Sequence, residues 1–259
     1  MDTPLLSICM SALESRRENR LKIEEELRRQ AAPWEGYVEI LVNEDPGDKS
    51  NGTKRHELSM AARGKYVCFF DDDDWMTPDY IQSLIDGCLQ DPDVVTFDLH
   101  YVSDTKDEIQ SFRLNYADHH RREDGVLEMM ANHLCAWRRE IQRCVAHNPF
   151  AFYSEDCLWY KPLIAAGIAK TEVHIPRAIY IYQYNPATTE SQSARCTRIT
   201  FGWAGAGIEC FRQGNRIFIA TKHIGFTGEQ DPVEVLDNFN RPIMLSRSAA
   251  EMFYVWKVV

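Results

Sequence analysis

The sequence predicts an α/β fold: a Rossmann-like, mostly parallel central sheet flanked by helices, followed by a small C-terminal appendage. Three observations predict it. Short apolar runs alternate with amphipathic stretches through the first half of the chain, the pattern of strands joined by helical crossovers. Tyr66 to Phe70 is apolar throughout, as a strand covered on both faces must be. Ile81, Leu84, Ile85, Cys88 and Leu89 recur at helical spacing and make a stripe that can face a sheet.

Leu5 to Met10 reads as the first strand. Arg16 to Ala32 places Leu21, Ile23 and Leu27 among many charges, with no glycine or proline before Pro33, and reads as a surface helix. Val38 to Val42 is the second strand, and Asn43 to Gly52 a polar loop too long for a hairpin turn. Thr53 to Arg63 is a helix stopped by Gly64. After the Tyr66–Phe70 strand, Thr77 caps a helix starting at Pro78 that carries the apolar stripe. Val94 to Leu99 is a strand, and the polar region up to Arg122 a hairpin or flap. His133 to Val145 and Glu155 to Ala166 read as helices, and Ala178 to Tyr184 as a strand. From about Arg195 the texture becomes glycine-rich and aromatic, with β-like pieces at Arg216 to Ala220 and Phe253 to Val259. This divides the chain into a main domain, residues 1–194, and a β-rich appendage, 195–259.

Composition narrows the function. With 29 Lys and Arg against 39 Asp and Glu, the formal charge is −10, which repels a polyanion unless a basic groove is concentrated on one face. No stretch approaches the roughly 20 apolar residues of a membrane span, so a cytoplasmic protein without an integral membrane segment is expected. The eight cysteines contain no C-x-x-C pair, and free thiols are expected in place of a zinc site.

The chemistry concentrates at Asp71, Asp72, Asp73 and Asp74, which follow the apolar strand directly. An acidic run in a bare loop is more often a solvated turn. At the carboxyl end of a strand in an open α/β sheet it stands where ligands bind. Adjacent carboxylates repel one another, and a hard divalent cation, Mn²⁺ or Mg²⁺, relieves that repulsion.

Several stretches, in order, resemble family 2 of the glycosyltransferases, which have the GT-A fold. They are the polar exit of the first strand at Ser11, Gln30 at the end of the first helix, Gly52-Thr53-Lys54-Arg55-His56, Arg63-Gly64-Lys65-Tyr66, Phe70 through Trp75, and Ser154-Glu155-Asp156-Cys157-Leu158-Trp159 followed by Gly167. The resemblance covers roughly Leu5 to Tyr184. It implies a metal-dependent, inverting transfer from a nucleoside diphosphate sugar, a UDP-sugar foremost, to an acceptor hydroxyl. It implies Asp73 on the metal, Asp71 at metal and ribose, and Asp72, Ser11, Lys54, Arg55 and Asp45 on the nucleotide sugar. It places Asp156 as catalytic base, with Glu155 and His133 on the acceptor side. His56 stands where the family has asparagine, and Asn43-Glu44-Asp45 where it has paired aspartates. Tyr182-Gln183-Tyr184 lies near the place of the late histidine that many GT-A enzymes use as a third metal ligand.

The bland alternatives are an exposed basic helix for Lys54 and Arg55, ordinary helix capping for Glu155 and Asp156, and a structural histidine for His133. The acceptor stays open among a glycan, a lipid-linked sugar, a protein and a nucleic-acid base. Rival functions are a transferase acting on modified DNA bases, a nucleotidyltransferase on a related scaffold, and a non-catalytic nucleotide-binding module.

Overall fold

The computed structural model describes residues 3–114, 120–147 and 155–184, and five strands further on. The chain forms two compact units, Met1–Asn185 and Pro186–Val259.

In the first unit, β1 (Leu6–Leu13) pairs in parallel with β2 (Val38–Asp45) and β3 (Tyr66–Asp71). The helices α1 (Arg17–Ala31) and α2 (Asn51–Ala61) make the crossovers. Beyond the two-residue β4 (Trp75–Met76) and α3 (Tyr80–Cys88), β5 (Val94–Val102) runs in the same direction as β3. Three further strands, β6 (Asp107–Arg113), β7 (His120–Arg121) and β8 (Leu127–Met130), extend the sheet beside β5 in the order β6, β8, β7, with β6 antiparallel to β5, β8 parallel to β6 and β7 antiparallel to β8. The short β9 (Ala136–Arg138) lies antiparallel between β3 and β5, and α4 (Arg139–Gln142) follows. After α5 (Glu155–Ala165), β10 (Glu172–Gln183) pairs in parallel with β5 and antiparallel with β4. The long strands β1, β2, β3, β5 and β10 therefore share one direction, and the sheet is mixed but mostly parallel.

The apolar runs form the core as the sequence predicts. Every residue from Tyr66 to Phe70 is buried, as are Ile81, Leu84, Ile85 and Cys88 of α3, whereas Leu89, the last of that stripe, is 61% exposed. On α1, Ile23 and Leu27 face inward and Leu21 faces solvent. Gln30 joins α1 to α3 by donating to the Thr77 carbonyl and accepting from the Ile81 N–H.

Local readings change in four places. The expected polar loop is shorter, because β2 continues to Asp45 and α2 starts at Asn51, where the Ser50 side chain accepts from the Thr53 N–H at 3.0 Å. Gly64 does not stop α2, which ends earlier. A Cβ there would lie 2.5 Å from Ser7 Oγ, so the glycine serves the close approach to β1. Thr77 does not cap α3, since its hydroxyl donates to Asp79 and the helix starts at Tyr80. The stretch from His133 is strand β9 and a single helical turn, not one helix. Leu134, Cys135, Ala136 and Trp137 are all buried, which a strand slotted between two others achieves and a surface helix does not.

Among the described side chains, Cys9, Cys68, Cys88 and Cys135 are buried free thiols and Cys144 is exposed. The second unit contains an antiparallel meander of β11 (Cys196–Trp203), β12 (Ala206–Gln213) and β13 (Arg216–Ile219). It also contains an antiparallel pair of β14 (Val233–Leu236) and β15 (Pro242–Leu245). The strand expected at Phe253 to Val259 lies outside the described residues.

Candidate functional site

Parallel pairing aligns Ser11, Asn43 and Asp71 across β1, β2 and β3 at the carboxyl edge of the sheet. Ser11 is 8% exposed, and its hydroxyl reaches Asn51 Oδ1 at 3.4 Å. Asp45 lies farther along β2, where it accepts from the Lys49 N–H at 2.6 Å and pairs with Lys54 Nζ at 3.0 Å. Burial opposes the Asp45 charge, but the Lys49 N–H and Lys54 outweigh it and hold the carboxyl below its ordinary range. Lys54 is 1% exposed and donates to the Ala12 carbonyl at 2.9 Å. Asp45 and Lys54, expected on the nucleotide, are thus committed to each other and clamp α2 to the ends of β1 and β2.

The aspartate run divides by alternation. Asp72 accepts from the Leu13 N–H at 2.7 Å and from Arg16 at 2.6 Å, and Asn19 binds its carbonyl. Asp74 accepts from the Tyr180 hydroxyl at 2.7 Å and the Gln183 N–H at 2.9 Å. Both are almost fully buried. They anchor the turn, Asp72 to β1 and Asp74 to β10. Asp71 and Asp73, the two that the family pattern marks as functional, keep more exposure, with side chains 23% and 18% accessible. Tyr180 pins the turn twice, since it also accepts the Asp71 N–H at 3.2 Å.

Burial raises the Asp73 carboxyl. Arg16, 3.1 Å away, draws it down, but Asp71 and Asp72 push it up again, to about 7. That crowding of negative charge is what a bound cation relieves. Among the described residues no group of three or more His, Cys, Asp or Glu side chains is placed to hold a metal ion. The two hard carboxylates of Asp71 and Asp73 suit Mg²⁺ or Mn²⁺ when ligand oxygens and water supply the remaining positions.

A ring of buried charge joins this turn to α5. Arg55 holds Asp71 Oδ1 at 2.7 Å and Glu155 Oε1 at 2.5 Å, and its guanidinium lies 5.6 Å from the centre of the Phe69 ring. His133 sits with Nε2 3.3 Å from Asp71 Oδ2 and Nδ1 3.5 Å from Asp156 Oδ2. Lys54 and Arg55 are therefore not an exposed basic face of α2, since both turn inward. Burial works against the charge on Asp71, but Arg55 and His133 hold its carboxyl low. Asp156 is likewise held low against burial by the neighbouring His133 and by Arg55. Burial and the neighbouring Asp156 push Glu155 up to about 7 despite Arg55. His133 is raised because Asp71 and Asp156 outweigh burial and Arg55. Asp71, Arg55, His133, Glu155 and Asp156, separated by up to about a hundred positions in sequence, thus meet in one place. Arg16 and Tyr180 were not foreseen. A basic residue at the exit of the first strand was the only local signal for Arg16, and Tyr180 gave none.

The fold and site define a GT-A-like α/β unit with an acidic edge. Residues 26–146 match the family described as Glycosyl transferase family 2. Among solved structures, S. aureus TarS 1–349 in complex with UDP-GlcNAc shares the fold, with a TM-score of 0.52 and 11% identity over 75% of this chain and 62% of that one. S. aureus TarS 1–349 in complex with UDP aligns with a TM-score of 0.48 and 11% identity over 70% and 61%. The chain therefore spans less than two thirds of the length of these TarS chains. No curated protein matches it. No helix among the described residues is long and apolar enough to cross a membrane.

Proposed function

We propose that the first unit is a nucleotide-sugar-dependent glycosyltransferase that uses Mn²⁺ or Mg²⁺ and inverts the transferred anomeric centre. The observation that carries the reading is the alternation in the aspartate run: Asp72 and Asp74 are fastened inward, whereas Asp71 and Asp73, each beside a basic partner, keep the more accessible carboxylates. The family match and the likeness to TarS, solved with UDP-GlcNAc, favour a UDP-sugar as donor.

Asp73 and Asp71 would hold the cation, which when bound neutralises the diphosphate as it leaves. Ser11 lines the nucleotide end of the edge, and Arg55 keeps Asp71 ionised from behind. Asp156 acts as general base. His133 and Arg55 keep it deprotonated near neutral pH, so it can take the proton of the acceptor hydroxyl. The acceptor oxygen then forms the bond to the anomeric carbon as the bond to the diphosphate breaks, and the electron pair of that bond leaves with the nucleoside diphosphate. Glu155 borders the acceptor side.

Purified protein is incubated with UDP-, GDP-, CDP- and dTDP-sugars, with and without Mn²⁺, and nucleotide release is followed by chromatography. The expected result is slow metal-dependent release of one nucleoside diphosphate, at least about tenfold slower in Asp156→Asn. Release of pyrophosphate would replace this reading with nucleotidyl transfer.

A further inference from the structure

Tyr101 of β5 and Tyr182 of β10 are register partners on parallel strands, with ring centres 5.3 Å apart and planes within 18°. Tyr184, just past β10, adds a third near-parallel ring 6.3 Å from Tyr101, and its N–H donates to the Val102 carbonyl at 2.8 Å. Alternation along a strand puts Tyr180, Tyr182 and Tyr184 on one face. Tyr180 is fully buried against Phe70 and Phe97, while Tyr182, Tyr184 and Tyr101 stay partly exposed. A row serving only the core would be sealed along its length. This one begins at the Tyr180 hydroxyl on Asp74 and leads outward from the aspartate turn. The same carboxylate holds the Gln183 N–H between the two outer tyrosines, so row and turn are fastened together. The acidic turn also lies close enough that, beyond burial, Asp74, Asp71 and Asp73 raise the Tyr182 hydroxyl.

We infer that Tyr101, Tyr182 and Tyr184 form the acceptor subsite and receive a pyranose ring of a glycan, an inference that rests on the transferase reading above. In the sheet, Ser11 and Asn43 align with Asp71 on the β1–β2 side, and β5 and β10 lie on the opposite side of β3 beyond β9. With the nucleotide on the first side, the second is left for the acceptor. Aromatic rings with hydroxyl tips offer an apolar face and a polar rim, which match the C–H face and hydroxyl rim of a neutral sugar.

The test is saturation-transfer NMR on the whole chain with methyl glucoside, methyl galactoside, methyl N-acetylglucosaminide and open-chain ribitol, and UDP with Mn²⁺ titrated into the same samples. At least one pyranoside should receive saturation at its ring C–H protons. Binding should weaken about tenfold in Tyr184→Ala and in Tyr182→Leu, which keeps apolar bulk without a flat ring, and persist in Tyr182→Phe. UDP should bind all of them alike, which also reports that they fold. The inference is overturned if the wild type binds UDP but no pyranoside, if ribitol binds as well as the rings, or if the Ala and Leu variants bind sugar unchanged. Tyrosine-dependent sugar binding with no nucleotide binding would keep the subsite and remove the transferase reading.

Discussion

On α1, Glu24 pairs with Arg20 and with Arg28, Glu26 with Arg29, and Glu18 with Lys22; Glu18, Lys22, Arg28 and Arg29 are well exposed, while Arg20, Glu24 and Glu26 are partly covered. Around the aspartate turn, Arg55, Asp71, Glu155, His133 and Asp156 pair at similar distances with little exposure. Distance is alike in the two regions, and the surroundings differ. Water screens the first set, so its loss matters little. In the second, each charge depends on its neighbours, and removing one leaves another buried and unpaired. Buried, mutually perturbed charge of this kind clusters at functional sites, as the proposed transferase reading requires.

Arg55→Met should break this contrast most strongly. It strips Asp71 and Glu155 of their shared cation, and urea unfolding should show a loss of about 3–5 kcal/mol. A loss as small as a surface pair gives would mean that the ring of charge is not coupled.

Glu155→Gln sharpens the comparison through pH. Folded Glu155 holds its proton up to about 7, against an ordinary 4.5. Between those values the unfolded chain binds fewer protons, so this group's contribution to stability falls as pH rises through the window. Urea unfolding at pH 5 and pH 8 should find the stability advantage of wild type over Glu155→Gln smaller at pH 8. An advantage that grows toward pH 8 would reverse the assignment.

Arg28→Ala should have the smallest effect, under about 0.5 kcal/mol in the same unfolding experiment, because its partner Glu24 keeps Arg20. A shift comparable to that of Arg55→Met would remove the distinction between the two regions.

What could be read from the sequence follows the same division. Tyr66 to Phe70 and the stripe from Ile81 to Cys88 were legible because burial of a whole strand or of one helix face repeats at short range. The stretch from Leu134 to Trp137 misled because a short apolar run is compatible with either element, and only its slot between β3 and β5 decides. In the candidate site, Asp71, Asp73, Arg55 and Asp156 could be singled out through the order of the motifs. That Asp72 is consumed by the Leu13 N–H and Lys54 by Asp45 and the Ala12 carbonyl was not legible, since those partners come from other strands. Which neighbour of a run of identical residues turns inward is settled by pairing across the sheet, and the run itself carries no mark of it.

The central claim is that alternate aspartates do different work, and the most direct test compares Asp73→Asn with Asp72→Asn. Both variants and the wild type are titrated with UDP and Mn²⁺ by calorimetry and unfolded by heat. The account predicts that Asp73→Asn abolishes metal-dependent UDP binding at an unchanged or higher melting temperature, because a crowded carboxylate is neutralised. Asp72→Asn should keep binding while stability drops by about 1–3 kcal/mol with the loss of the Arg16 partner. UDP binding that survives in Asp73→Asn and vanishes in a folded Asp72→Asn would contradict it.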